Sequence, residues 1–144
     1  MKKRIFKILI FVIIAVLIYG FFHIDGWRIK NTKNLLDASF VEVYVHNENT
    51  GEEIEYALNA EQRKLLSDLL IESSYTRRLS STIIGALPDK RYTVLADWND
   101  NGQTNLYVNT IGGEYIRISG QFGSGYLKIN NKDFEENLKA LLEK

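Results

Sequence analysis

Hydrophobic residues are arranged in two different ways along this chain, without period near the N-terminus and periodically beyond it. From Ile5 to Phe22 the sequence IFKILIFVIIAVLIYGFF is apolar throughout and interrupted by one charge, Lys7. A helix with no polar face gains nothing from the surface of a globular domain, whereas a bilayer accepts it on all sides. At 1.5 Å per residue the run extends about 27 Å, close to the roughly 30 Å of a hydrocarbon core. A cleaved secretory signal closes on small residues, but this run closes on Ile18, Tyr19, Gly20, Phe21 and Phe22. An uncleaved signal anchor is therefore expected.

The residues from Gly26 to Ser39 (GWRIKNTKNLLDAS) are polar and show no period. They predict a flexible juxtamembrane linker that holds the domain within about 20 Å of the bilayer. Two alternating runs follow, Phe40 to His46 (FVEVYVH) and Glu53 to Leu58 (EIEYAL), joined by NENTGE, and they read as a strand pair. Leu65, Leu66, Leu69 and Leu70 then recur at helical spacing behind Asn59 and Gln62, which form a capping box. Tyr75 to Leu79 reads as a short edge strand, and Ser80 to Lys90, which holds the chain's one proline, as a loop. Tyr92 to Trp98, Gln103 to Thr110, Tyr115 to Ser119 and Gly125 to Asn130 alternate between the turn compositions NDNG, IGGE and GQFGS. Asp133 with Glu136 predicts a second capping box, opening a last helix whose apolar stripe is Phe134, Leu138, Leu141 and Leu142.

This pattern predicts an α+β chain: a basic cytoplasmic tail over 1–4, a transmembrane helix over 5–24, a linker over 25–38 and a two-layer domain over 39–144. The domain is expected to fold alone from about residue 38, as an antiparallel sheet with two helices on one face.

Composition narrows the chemistry. With no cysteine the chain has no disulfide, thiolate metal site or cysteine nucleophile. His23 lies inside the apolar stretch, which leaves His46 as the one imidazole in the rest of the chain and excludes a histidine-clustered zinc site. The zero net charge conceals an asymmetry: Lys2, Lys3, Arg4 and Lys7 precede Asp25 with no acid among them, so that leader carries +4 and the remainder −4. The basic tail places the N-terminus in the cytoplasm and the domain on the extracytoplasmic side of the cell membrane. Trp27, with Tyr19, Phe21 and Phe22, is placed to anchor at the outer interface. A mildly acidic domain lacks the positive field that a phosphate backbone requires, so nucleic acid is not an expected partner.

A short basic N-terminus, a single apolar span, a β-hairpin, a helix, a glycine-punctuated meander and the closing FEENLKALL helix together resemble the small membrane-anchored extracytoplasmic domains of Gram-positive bacteria. Some of these have a fold similar to that of the TATA-binding protein. The resemblance rests on the order of elements across most of the chain, so it implies a bacterial location and a fold and transfers no site residues.

Four features carry candidate chemistry. DWNDNGQTN sets Asp97, Asn99, Asn101 and Gly102 at the D-x-N-x-N-G spacing that brings alternate oxygens around a calcium ion. Val108 stands where the bidentate Glu belongs, and Asn-Gly between alternating strands is itself a hairpin signal. A plain turn is preferred, and Asp97, Asn99 and Asn101 are kept as the metal candidate, with no cofactor expected. Next, if Ile116, Ile118, Leu127 and Ile129 face the helices, then Tyr115, Arg117, Tyr126 and Lys128 face away, joined by Asn105, Tyr107 and Asn109. Tyr and Arg dominate binding hot spots, so Tyr107, Tyr115, Arg117 and Tyr126 are the binding candidates. The loop holding Ile83, Ile84, Ala86 and Leu87 between basic pairs is the alternative contact. Last, His46 lies beside Glu48, with Glu52, Glu53 and Glu55 following, a set that more often forms a solvated surface than a catalytic or metal cluster.

No G-x-S-x-G elbow, phosphate-binding glycine loop, H-E-x-x-H helix or S-x-x-K motif occurs. The expected function is a non-catalytic binding or interaction module, tethered to the membrane and facing a protein or cell-envelope partner, with no catalytic residue assigned. The alternatives are a cell-envelope hydrolase using acidic residues, Asp97 and Asp100 first, and a structural accessory subunit of a membrane complex.

Overall fold

The structure, a computed structural model, describes residues 2–29, 32–78, 88–98, 106–110, 115–118 and 126–144. The apolar run forms helix α1 (Lys2–Phe22). Its window Ile5–Phe22 is long and apolar enough to cross a membrane, and none of it is buried against the domain.

With no spacer the chain passes from α1 into strand β1 (His23–Asp25). Strands β2 (Phe40–Asn47) and β3 (Glu53–Ala57), helix α2 (Ala60–Glu72), strand β4 (Ser74–Arg77), strands β5 (Lys90–Asp97), β6 (Leu106–Thr110), β7 (Tyr115–Ile118) and β8 (Tyr126–Ile129), and helix α3 (Phe134–Leu142) complete the order. The strands form one eight-stranded sheet in the order β1-β4-β8-β7-β6-β5-β2-β3, and every neighbouring pair is antiparallel. Helix α2 carries the chain from β3 at one edge to β4 beside the other. The β5 to β8 meander then fills the space between by consecutive pairings.

Alternation decides the two faces. Val41, Val43 and Val45 of β2, Tyr92, Val94 and Ala96 of β5, Leu106 and Val108 of β6, Ile116 and Ile118 of β7, and Leu127 and Ile129 of β8 are all buried on the helix side. Leu66 and Leu70 of α2 and Phe134, Leu138, Leu141 and Leu142 of α3 close over them in one continuous core. Leu65 and Leu69, the other half of the α2 stripe, are only partly buried because they turn toward α3.

The capping box at α2 forms as the sequence predicts: Gln62 N donates to Asn59 Oδ1 and Asn59 N to Gln62 Oε1, each at 3.0 Å. The one predicted at α3 does not. Asp133 lies at φ −94°, ψ 11° and makes no side-chain capping bond. Asn131 substitutes for it, its Oδ1 accepting from Asp133 N at 3.1 Å and its carbonyl from Phe134 N at 3.4 Å. An N-cap side chain reaches forward from extended backbone, and Asp133 is already close to helical.

The largest departure concerns the segment predicted as a transmembrane end and a linker. Helix α1 stops at Phe22, and Ile24, placed by the sequence inside the span, is a 3% exposed core residue of β1. Residues 26–29 and 32–38 are a strap, not a spacer: Ile29, Leu35, Ala38 and the polar Thr32 are all buried. The strap is fastened across α2. Gly26 N donates to Ser73 O at 2.8 Å, Ser67 Oγ to Thr32 O at 2.8 Å, and Arg63 Nη1 to Ala38 O at 2.7 Å. A Cβ at Gly26 would fall 1.9 Å from the carbonyl oxygen of Leu70, so only glycine fits the crossing. The strap consists of short 3-10 turns over Gly26–Arg28 and Thr32–Asp37, whose buried side chains follow neither helical nor strand period. Its presence also relocates β4. The strand predicted at an edge lies one place inside it, because Ile24 of β1 pairs with Tyr75.

Candidate functional site

The outer face of the sheet, opposite the helices, gathers the binding candidates. Register places Arg117 of β7 between Asn109 of β6 and Tyr126 of β8, with Tyr115 opposite Lys128. Tyr107, Tyr115 and Tyr126 are half-buried and Arg117 is exposed. Arg78, just beyond β4, joins them: its Nη1 donates to Tyr115 Oη at 2.7 Å, and its guanidinium carbon lies 5.0 Å from the centre of the same ring. Asn109 Nδ2 donates to Tyr107 Oη at 2.9 Å. Rigid strands and side-chain bonds thus hold three tyrosines and two arginines on one surface, which lowers the entropy lost when they meet a ligand. Arg78 could not be assigned to this set from sequence, because nothing local shows that β4 lies beside β8.

The far part of the same face is acidic. Glu42 accepts a hydrogen bond from Tyr44 Oη at 2.9 Å. This bond, reinforced by partial burial and the neighbouring carboxylates, pushes the Tyr44 phenol up to about 12. His46 sits between Glu48 at 3.9 Å and Glu53 at 3.8 Å, while Arg91 Nε meets Glu48 at 3.2 Å. The arrangement is a half-exposed polar cluster built on the Arg91–Glu48 ion pair. No group of three or more potential metal ligands occurs among the described residues.

Asp97 ends β5 opposite Phe40 and is 0% exposed, its carbonyl accepting from Ser39 N at 2.7 Å. Asn99, Asp100, Asn101 and Asn105 lie outside the described residues, as do Ile83, Ile84, Ala86 and Leu87 of the proposed contact loop.

A groove of about 320 Å³ lies between α2 and α3, its lining including Leu65, Asp68, Leu69, Ala140, Leu141 and Lys144. The single apolar stripe that the spacing predicts for Leu65, Leu66, Leu69 and Leu70 does not reveal this groove. The partial exposure of two of them follows from α3 docking beside α2 instead of over it.

No family model, curated protein or solved structure matches the chain.

Proposed function

We propose that this is a single-pass membrane protein whose domain stands on the extracytoplasmic side and acts as a non-catalytic interaction module, with the outer sheet face as its contact surface. The observation that carries the reading is the convergence of Tyr107, Tyr115, Tyr126, Arg78 and Arg117 on one open face of a sheet joined directly to a membrane-length helix. Tyr and Arg offer large contact areas and fixed donor geometry, the properties that concentrate binding energy. The basic residues Lys2, Lys3 and Arg4 before the span support the orientation. Trp27, 63% exposed a few residues beyond α1, suits the outer interface. The element order shared with Gram-positive anchored domains points to the same side.

Two measurements test it. Protease added to intact wall-stripped cells should degrade the domain, and full protection rejects the orientation. A photoreactive amino acid placed at position 126 should give a discrete adduct in native membranes. That adduct should disappear in a folded Tyr115→Ala plus Arg117→Ala variant, and an unchanged adduct removes the sheet face as the contact surface.

A further inference from the structure

The strand order sorts the charges of the sheet, and the sorting coincides with the attachment point of α1. The four strands at the anchor end, β1, β4, β8 and β7, together with Arg78, carry Arg77, Arg78, Arg117 and Lys128 against one acid, Asp25. Asp25 itself lies 3.1 Å from His23 Nε2. The three strands at the opposite end, β5, β2 and β3, together with the β2–β3 turn, carry Glu42, Glu48, Glu52, Glu53, Glu55 and Asp97 against Lys90 and Arg91. Among the described residues one end of the sheet is therefore basic and the other acidic.

From this we infer that the basic end docks the domain onto anionic lipid headgroups of the bilayer that holds α1. The inference deepens the proposed function and rests on α1 spanning the membrane. Three observations favour a lipid surface over other polyanions. First, β1 begins at the residue after α1, so no spacer separates the sheet from the bilayer. Second, β7 lies three strand spacings from β1, about 14 Å, so Arg78, Lys128 and Arg117 all stand within about two Debye lengths of the point where the helix leaves the membrane. Third, the guanidinium of Arg77 lies 4.2 Å over the ring of Phe21 in the last turn of α1, which fixes one positive charge at the boundary itself. A polarised sheet at a negative surface experiences attraction at one end and repulsion at the other. The two act together as a torque that lays the β4–β8–β7 side down and lifts the β2–β3 hairpin away.

The test uses the full chain reconstituted in vesicles of phosphatidylcholine alone or with about 30 mol% phosphatidylglycerol, a fraction that sets a strongly negative surface. Because the chain has no cysteine, single labels can be placed by Asn130→Cys beyond β8 or Thr50→Cys in the β2–β3 turn. Headgroup spin-labelled lipid then reports which label meets the surface. The expected result is strong quenching at position 130 and little at position 50 on the anionic vesicles. At position 130 it should be lost in phosphatidylcholine and at about 1 M salt, where the Debye length falls to about 3 Å. Arg117→Glu plus Lys128→Glu should shift the docked-to-free ratio by at least about tenfold. Circular dichroism of that variant checks its fold, and the salt and lipid arms need no substitution. Equal quenching at both positions, stronger quenching at position 50, or quenching indifferent to lipid charge overturns the inference. Flotation separates the two levels: a chain that fails to float with either vesicle refutes the span, whereas one that floats without charge-dependent quenching refutes only the docking.

Discussion

The two ends of the sheet are made from similar alternating strands but are held in different ways. At the α1 end, β1 seals the edge of β4, the strap crosses α2, and Ile24, Ile29 and Leu35 are enclosed at 0–3% exposure. At the far end β3 is bonded to β2 alone, and Ile54, although on the helix side of the sheet, remains 53% exposed. Glu53 and Glu55 line that edge, charged side chains that discourage pairing with another chain. The fold is closed where α1 joins the sheet and guarded by charge at the opposite edge. The segment that follows α1 is thus structural, and the β2–β3 hairpin at the other end is the part more open to change.

Truncation tests this contrast most severely. A domain beginning at Ala38 lacks β1 and the strap, so it should lose its cooperative thermal transition by circular dichroism. One beginning at His23 should retain it, and equal melting temperatures would abolish the distinction. The next largest effect compares two glycines. Gly26→Ala drives a Cβ into the Leu70 carbonyl and should cost about 3 kcal/mol or more in urea unfolding. Gly51→Ala, at φ +73° in the open β2–β3 turn, should cost only about 1 kcal/mol. Two isoleucines give a smaller contrast of the same kind: Ile24→Ala should cost about 2–4 kcal/mol and Ile54→Ala less than about 1 kcal/mol. Comparable losses for the pair would show that the far edge is packed as firmly as the near one.

The smallest expected effect is one of pH. Because Glu42 raises the folded-state phenol of Tyr44 from its ordinary 10.0 to about 12, the stabilisation is complete below about pH 10 and is lost as pH rises toward 12. Tyr75, at the anchor end, is raised further by burial, with its hydroxyl donating to Leu70 O at 3.1 Å. Tyr44→Phe should therefore flatten the fall in melting temperature between pH 10 and 12 without removing the steeper loss at higher pH. An unchanged slope would show that the Glu42 contact is not formed.

Elements with a repeating period are legible along the chain alone: the uniform apolar run of α1, the alternation of β2 and of β5 to β8, the stripes of α2 and α3, and the Asn59–Gln62 cap. These are set by neighbours a few residues away, and local spacing is all that period records. The sequence also placed Tyr107, Tyr115, Arg117 and Tyr126 on one face, because alternation within each strand fixes which side a residue takes. Strand order was decided only in three dimensions. Ile24 meeting Tyr75, Arg78 meeting Tyr115, and the separation of basic from acidic strands all join residues distant in the chain. The strap was hidden for a related reason: its buried residues are spaced by the surface of α2 against which they pack, and that surface exists only once the helix has docked.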